Sequence, residues 1–140
     1  MFAASCQPGI LAPLCAFGRS LGFALKSDVE FRAGLRALQQ AFVPDWGVVG
    51  LGEPLVRALG ATVPGLRTFP ALSGPGCSAP SRQYALWVFL GAEDRSVVFE
   101  RSEAVVDLLA GAFDLVDAVD TFKFREGRDA FARLLTANTK

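Results

Sequence analysis

Four groups of residues in this chain are of types that do chemistry. They are Gly47, Gly50 and Gly52 ahead of "EPLVRALG", the evenly spaced Asp114, Asp117 and Asp120, the cysteines Cys6, Cys15 and Cys77, and the tryptophans Trp46 and Trp87. A glycine turn that leads into a helix can cradle a phosphate on backbone N–H groups. Here the spacing is GxxGxG rather than GxGxxG, and Glu53 sets a negative charge where the phosphate would sit. A tight turn with close helix-sheet packing is the better reading. Aspartates three apart on an extended segment cannot all face one way, so they read as a solvated strand entry and not as a metal cluster. The cysteines form no CxxC pair and are too few for a disulfide framework, which makes them reduced thiols. No basic patch accompanies the tryptophans, which favours core or interface positions over base stacking.

Histidine is absent from the sequence. Ser-His-Asp and Cys-His nucleophile systems, His-ligated zinc and a His-ligated haem iron are therefore excluded within these residues. Any catalysis has to come from carboxylates, Cys, Lys, Arg or Tyr84. The 14 Lys and Arg balance 14 Asp and Glu, so there is no basic excess to attract nucleic acid. No run approaches the roughly 18 apolar residues of a membrane span. The opening "MFAASCQPGILAPLCAFGRS" lacks a basic start and is interrupted by Pro8, Gly9 and Pro13, so it is not read as a signal peptide. A cytoplasmic location without membrane contact is the expectation.

The elements that must position these residues follow from periodicity. Residues 1–8 read as a loose arm. Within the next apolar run, Leu21, Phe23 and Leu25 share one face of a strand, and small residues fill the other, where a backbone or helix can approach closely. Ser27 to Phe42 reads as a helix with Ser27 as N-cap and Glu30 completing a capping box. Its buried stripe is Phe31, Leu35, Leu38 and Phe42, and Pro44 closes it. "DWGVVGLG" is a short strand and "EPLVRALG" a short helix, followed by a long Pro/Gly loop over 61–82. "QYALWVFLG" reads as a strand buried on both faces. Asp94 to Phe113 reads as a second long helix, and Leu115 to Arg125 as a final strand.

This order is the split βαβ pattern of a ferredoxin-like α+β sandwich, in which two main helices cover one face of a four-stranded antiparallel sheet. Its 140 residues read as one domain, large enough to bury about 70 % of the unfolded surface. The opposite sheet face then has to be hidden by a second domain, a partner or a ligand.

Several segments, taken in order over residues 7 to 129, resemble the N-terminal half of the bacterial dye-decolorizing (Dyp-type) haem peroxidases. "QPGILAPLCAFGRSLGFALK" resembles that family's opening strand, and "VVGLGEPLVRALGATVPGLRTFPALSGPG" its glycine turn, short helix and long loop. "PSRQYALWVFLGAEDRSVVFERSEAVVDLLAGAF" is similar to its third strand and second helix, and "DLVDAVDTFKFREGRD" to the strand that leads toward the active site. The resemblance implies a pair of ferredoxin-like halves that hold haem b in the second, with a proximal histidine on the iron and a distal arginine helping to cleave peroxide.

The family delivers a distal aspartate in a GxxDG motif just beyond this last strand. Here Gly127, Arg128 and Asp129 match only the approach to it, and "AFARLLTANTK" follows. The sequence therefore reads as truncated before the motif, with a divergent tail over 130–140 whose Phe131, Leu134 and Leu135 make a small apolar stripe. No catalytic, cofactor-binding or metal-ligating residue is assigned. Haem b is implied by the resemblance but is not expected on this chain alone, because it lacks the histidine. The expected role is that of a Dyp-type first half without peroxidase activity of its own. The alternative is a non-catalytic ferredoxin-like domain that forms a homo-oligomer or pairs with a separate C-terminal haem half. A small-ligand binder with the Pro/Gly loop as lid ranks last.

Overall fold

Leu21, Phe23 and Leu25 alternate with Gly22 and Ala24, and this two-residue period forms the central strand β1 (Phe17–Leu25) of a computed structural model that describes residues 6–124. Ahead of it, α1 (Pro8–Leu11) is a single helical turn with proline in its first turn. After β1 come α2 (Arg32–Ala41), a 3-10 turn at Pro44–Trp46, β2 (Gly47–Leu51) and α3 (Glu53–Ala58). A small hairpin of β3 (Leu72–Gly74) and β4 (Cys77–Ala79) precedes β5 (Leu86–Ala92), α4 (Arg95–Leu109) and β6 (Phe113–Phe122). The main sheet runs β2-β5-β1-β6 and is antiparallel throughout. This is the expected ferredoxin-like order, with α2 and α4 packed together on one face.

The core lies between the sheet and those helices. Leu21 and Phe23 of β1 and Leu86, Val88 and Leu90 of β5 meet Leu38 of α2, Leu55 of α3, and Val105 and Leu109 of α4, all buried. Sequence periodicity places this stripe correctly on α2, where Phe31, Leu35 and Phe42 pack against the same cluster. Asp94 caps α4 by accepting the Ser96 N–H at 2.7 Å. Lys26 closes the other end, where its Nζ donates to the Ala110 carbonyl at 2.6 Å.

The structure corrects several sequence readings. Helix α2 begins at Arg32 and not at Ser27, because Asp28 adopts a positive φ of 57° and turns the chain after β1. Glu30 then supplies the cap from outside the helix, accepting the N–H groups of Arg32 and Ala33 at 2.8 and 3.0 Å. These bonds hold its carboxyl below the usual range. The second long helix ends at Leu109, and Phe113 already belongs to β6. Strand β5 is fully buried along one face, whereas Trp87 and Phe89 are only half-buried on the other. The long loop contains the β3-β4 hairpin, whose Pro75-Gly76 corner has the glycine φ of 71° that a type II turn requires. Residues 7 and 8 of the supposed arm are ordered, as Gln7 is bonded to Val49. Arg125, Arg128 and Asp129 and the tail over 130–140 lie outside the described residues. Among the described residues, no helix is long and apolar enough to cross a membrane.

Candidate functional site

The sheet face away from α2 and α4 carries Ser20, Tyr84, Trp87, Phe89 and Asp117. The even positions of β1, from Gly18 through Ser20 and Gly22 to Ala24, are small, and rings from neighbouring segments lie across them. A Cβ on Gly22 would come within 2.6 Å of the Tyr84 ring, and one on Gly18 within 2.7 Å of the Phe89 ring. Close approach was expected here, and aromatic rings are what approach. Trp87 and Phe89 stack with centroids 6.2 Å apart, and the Trp87 indole N–H donates to Ser20 Oγ at 2.8 Å. Tyr84 O–H donates to Asp117 at 2.5 Å across the same face. That bond, followed by partial burial, pushes the Tyr84 phenol above its usual range.

The three regularly spaced aspartates are held apart. Asp117 pairs with Gly22, and a bulge opposite Gly22 and Phe23 leaves Asp114 opposite Ala24 on the same side, where it meets Lys26 at 3.6 Å. Asp120 pairs with Arg19 on the helix side. Its carboxylate takes the Arg19 Nε–H at 2.6 Å and lies 3.5 Å from Arg95. The Arg19 hydrogen bond, chiefly, holds the Asp120 carboxyl below the usual range and the guanidinium correspondingly high. Arg19 also donates to buried Ser102 on α4 at 3.0 Å and lies over the Phe99 ring. These groups border an open cleft of about 670 Å³ walled by Phe17, Val98 and Phe122. Neither Ser102 nor the Tyr84–Asp117 bond was found from the sequence. Both depend on contacts between segments far apart in sequence.

The glycine turn resolves as packing. Gly52 caps α3, its N–H bonds the Ala85 carbonyl, and a Cβ there would fall 1.9 Å from the Tyr84 carbonyl oxygen. Glu53 is occupied by Thr68 and Arg57. Trp46 stands edge-on to Phe42 beneath the Arg101 guanidinium, against the core. The cysteines are all free, with Cys6 and Cys77 exposed and Cys15 half-buried. Among the described residues, no group of three or more His, Cys, Asp or Glu side chains could hold a metal ion.

The donor set does not suit an axially ligated haem. Iron in such a group takes imidazole, thiolate, thioether or phenolate. The sequence has no histidine, its one methionine is Met1, and the phenol of its one tyrosine is committed to Asp117. Two of the three thiols sit on exposed outer segments, and none lines the large cleft beside Arg19.

No protein-family model matches the sequence, and no curated protein does. Solved structures match clearly. The encapsulated DyP-type peroxidase of Mycobacterium smegmatis is 26% identical with a TM-score of 0.68, over 91% of this chain and 45% of its own. DypB of Rhodococcus jostii RHA1 is 25% identical with a TM-score of 0.68, over 86% of this chain and 44% of its own. A variant of DypB solved in complex with heme is 26% identical with a TM-score of 0.67. The chain therefore spans less than half the length of the proteins it matches. A shared strand order, an ordered series of similar segments and these matches agree, and the chain is similar in fold and in sequence to the N-terminal half of the Dyp-type peroxidases.

Proposed function

We propose that this domain serves haem-dependent, peroxide-driven oxidation as the first half of a Dyp-type assembly, and that these 140 residues are not catalytic by themselves. The observation that carries the proposal is the mismatch between fold and donor set. The architecture is similar to part of a peroxidase solved with heme, yet the sequence holds no imidazole for the iron. What the domain offers instead is its open sheet face, where Trp87, Phe89 and Tyr84 present aromatic rings of the kind enriched at interfaces. A histidine-bearing haem half is the partner that this face serves. The free cysteines support a cytoplasmic setting.

Haem titration of the purified chain is expected to give no stoichiometric Soret band and no peroxide-dependent dye oxidation. Co-expression with a histidine-bearing second half is expected to give both. A tight band on the chain alone would overturn the non-catalytic reading. A second reading rests on the same half-exposed rings, which two copies could cover by pairing open face to open face. Sedimentation as a strict monomer at micromolar concentration removes that reading and leaves the first untouched.

A further inference from the structure

The two edges of the main sheet are protected in different ways. At one edge, β6 carries Asp114, Asp117 and Asp120 and a bulge opposite Gly22 and Phe23, and charge and irregularity of this kind discourage edge-to-edge pairing. At the other, β2 reads Gly-Val-Val-Gly-Leu, with no charge, no proline and no bulge. Its defence lies in another segment. The Gln7 side-chain amide donates to the Val49 carbonyl at 2.7 Å and accepts the Val49 N–H at 2.9 Å, the two bonds that a neighbouring strand would make. Immediately after it, Gly9 of α1 crosses Gly47 so closely that a Cβ would lie 2.1 Å from the Gly47 carbonyl oxygen. Only glycine permits this approach.

We propose that the Gln7–Leu11 segment is an edge guard that keeps β2 from pairing with β2 of a second copy of this chain. The occupant follows from the geometry of the edge. Val49 directs both its N–H and its carbonyl away from β5, so a two-fold axis through Val49 would make these groups reciprocal partners, with Gly47 opposite Leu51. An uncharged five-residue strand presents no repulsion to its own copy. Beside it, Leu35 of α2 and Phe42, just after that helix, line an apolar groove along the same edge with Val49 and Leu51. The amide of Gln7 stands where the peptide group of the second copy would stand.

Gln7→Ala removes both bonds, and Gly9→Ala lifts the segment by steric conflict. In protein too dilute for copies to pair, either is expected to raise the hydrogen-exchange rate of the Val49 amide at least about tenfold while core amides of β5 stay protected. Sedimentation velocity is expected to show a concentration-dependent species of twice the mass of the unaltered chain's own species. Adding Leu51→Lys to Gln7→Ala, at an exposed position of the same edge, is expected to restore the original profile. Unchanged Val49 exchange at that dilution overturns the guard. Raised exchange without a heavier species overturns the pairing. A heavier species that Leu51→Lys leaves intact overturns its assignment to β2. Because each result is read against the unaltered chain, it stands apart from any pairing through the open face and from haem binding.

Discussion

The two faces of the sheet are built from the same strands and obey different rules. On the covered face, Leu21, Phe23, Leu86, Val88 and Leu90 are at most 1% exposed and pack only apolar groups. On the open face, the neighbours in sequence are Ser20, Gly22, Trp87 and Phe89. There the Trp87 indole and the Tyr84 phenol each keep a hydrogen-bond partner. The covered face is a finished core, held by area removed from water. The open face is half-finished, with half-buried rings that lie across the small residues of β1, two of them tethered at their polar ends. A surface of this kind is suited to a partner, because its polar groups are satisfied before anything docks.

Adjacent residues of β5 give the sharpest contrast. Leu86→Ala is expected to cost about 2–5 kcal/mol, through lost burial and the cavity left among Leu55, Val105 and Leu109. Trp87→Ala is expected to cost only about 1 kcal/mol in the isolated domain, chiefly the bond to Ser20 and a partial ring contact. Urea denaturation of both variants checks the pair. An equal loss at the two positions would mean that the open face is already covered by something in solution. Assembly with a haem half is expected to reverse the ranking, with Trp87→Ala the more damaging.

Helix α4 tests how firmly the covered face is held. Asp94→Ala is expected to cost about 1 kcal/mol by orphaning the Ser96 N–H, seen as a lower Tm without any change in association. The cap at Asp94 lies where the sequence reading began its second helix. Amphipathic stripes and the strand-helix order were likewise legible, because each is written in local spacing. What escaped the sequence depends on tertiary register. Ser27 and Glu30 match a capping box in spacing, but the turn at Asp28 separates them from the helix. Trp87 and Phe89 look buried by composition, yet full burial on their side needs a second layer that the described residues do not supply. The clamp of Gln7 on Val49 joins residues with no pattern in common, so nothing local announced it. The resemblance identified the family. The blank in the donor set came from a count, since a missing histidine is visible without any structure.

Tyr84→Phe probes the polar tether of the open face. Losing the bond to Asp117 is expected to cost about 1 kcal/mol near neutral pH. The pH dependence separates this bond from simple packing. Because the folded phenol titrates above its ordinary value, its contribution is fully present below about pH 10 and is lost as the pH rises through the raised pKa. The unaltered domain is therefore expected to lose stability on the alkaline side by more than the Phe variant does. Parallel alkaline limbs would show that the Tyr84–Asp117 bond contributes nothing to folding.

The smallest effect expected is at Asp120, the aspartate on the helix side of β6. Its pKa is lowered mainly by the Arg19 hydrogen bond, so its contribution is present above the unfolded carboxylate pKa and fades as the pH falls through the lower folded value. The carboxylate is 47% exposed, and screening by water and salt limits Asp120→Asn to under about 1 kcal/mol at neutral pH. Stability curves of variant and unaltered domain should converge only as the pH falls below the lowered folded pKa, where Asp120 is neutral in both states of the unaltered chain. Arg19 is the more enclosed partner and keeps its bond to Ser102 when Asp120 is changed. The guanidinium is therefore expected to stay under α4, and crystals of Asp120→Asn should show it over Phe99 as before. If it swings out to solvent instead, the surface aspartate was holding the buried end of the pair, and the boundary between covered and open faces extends to the edge strand.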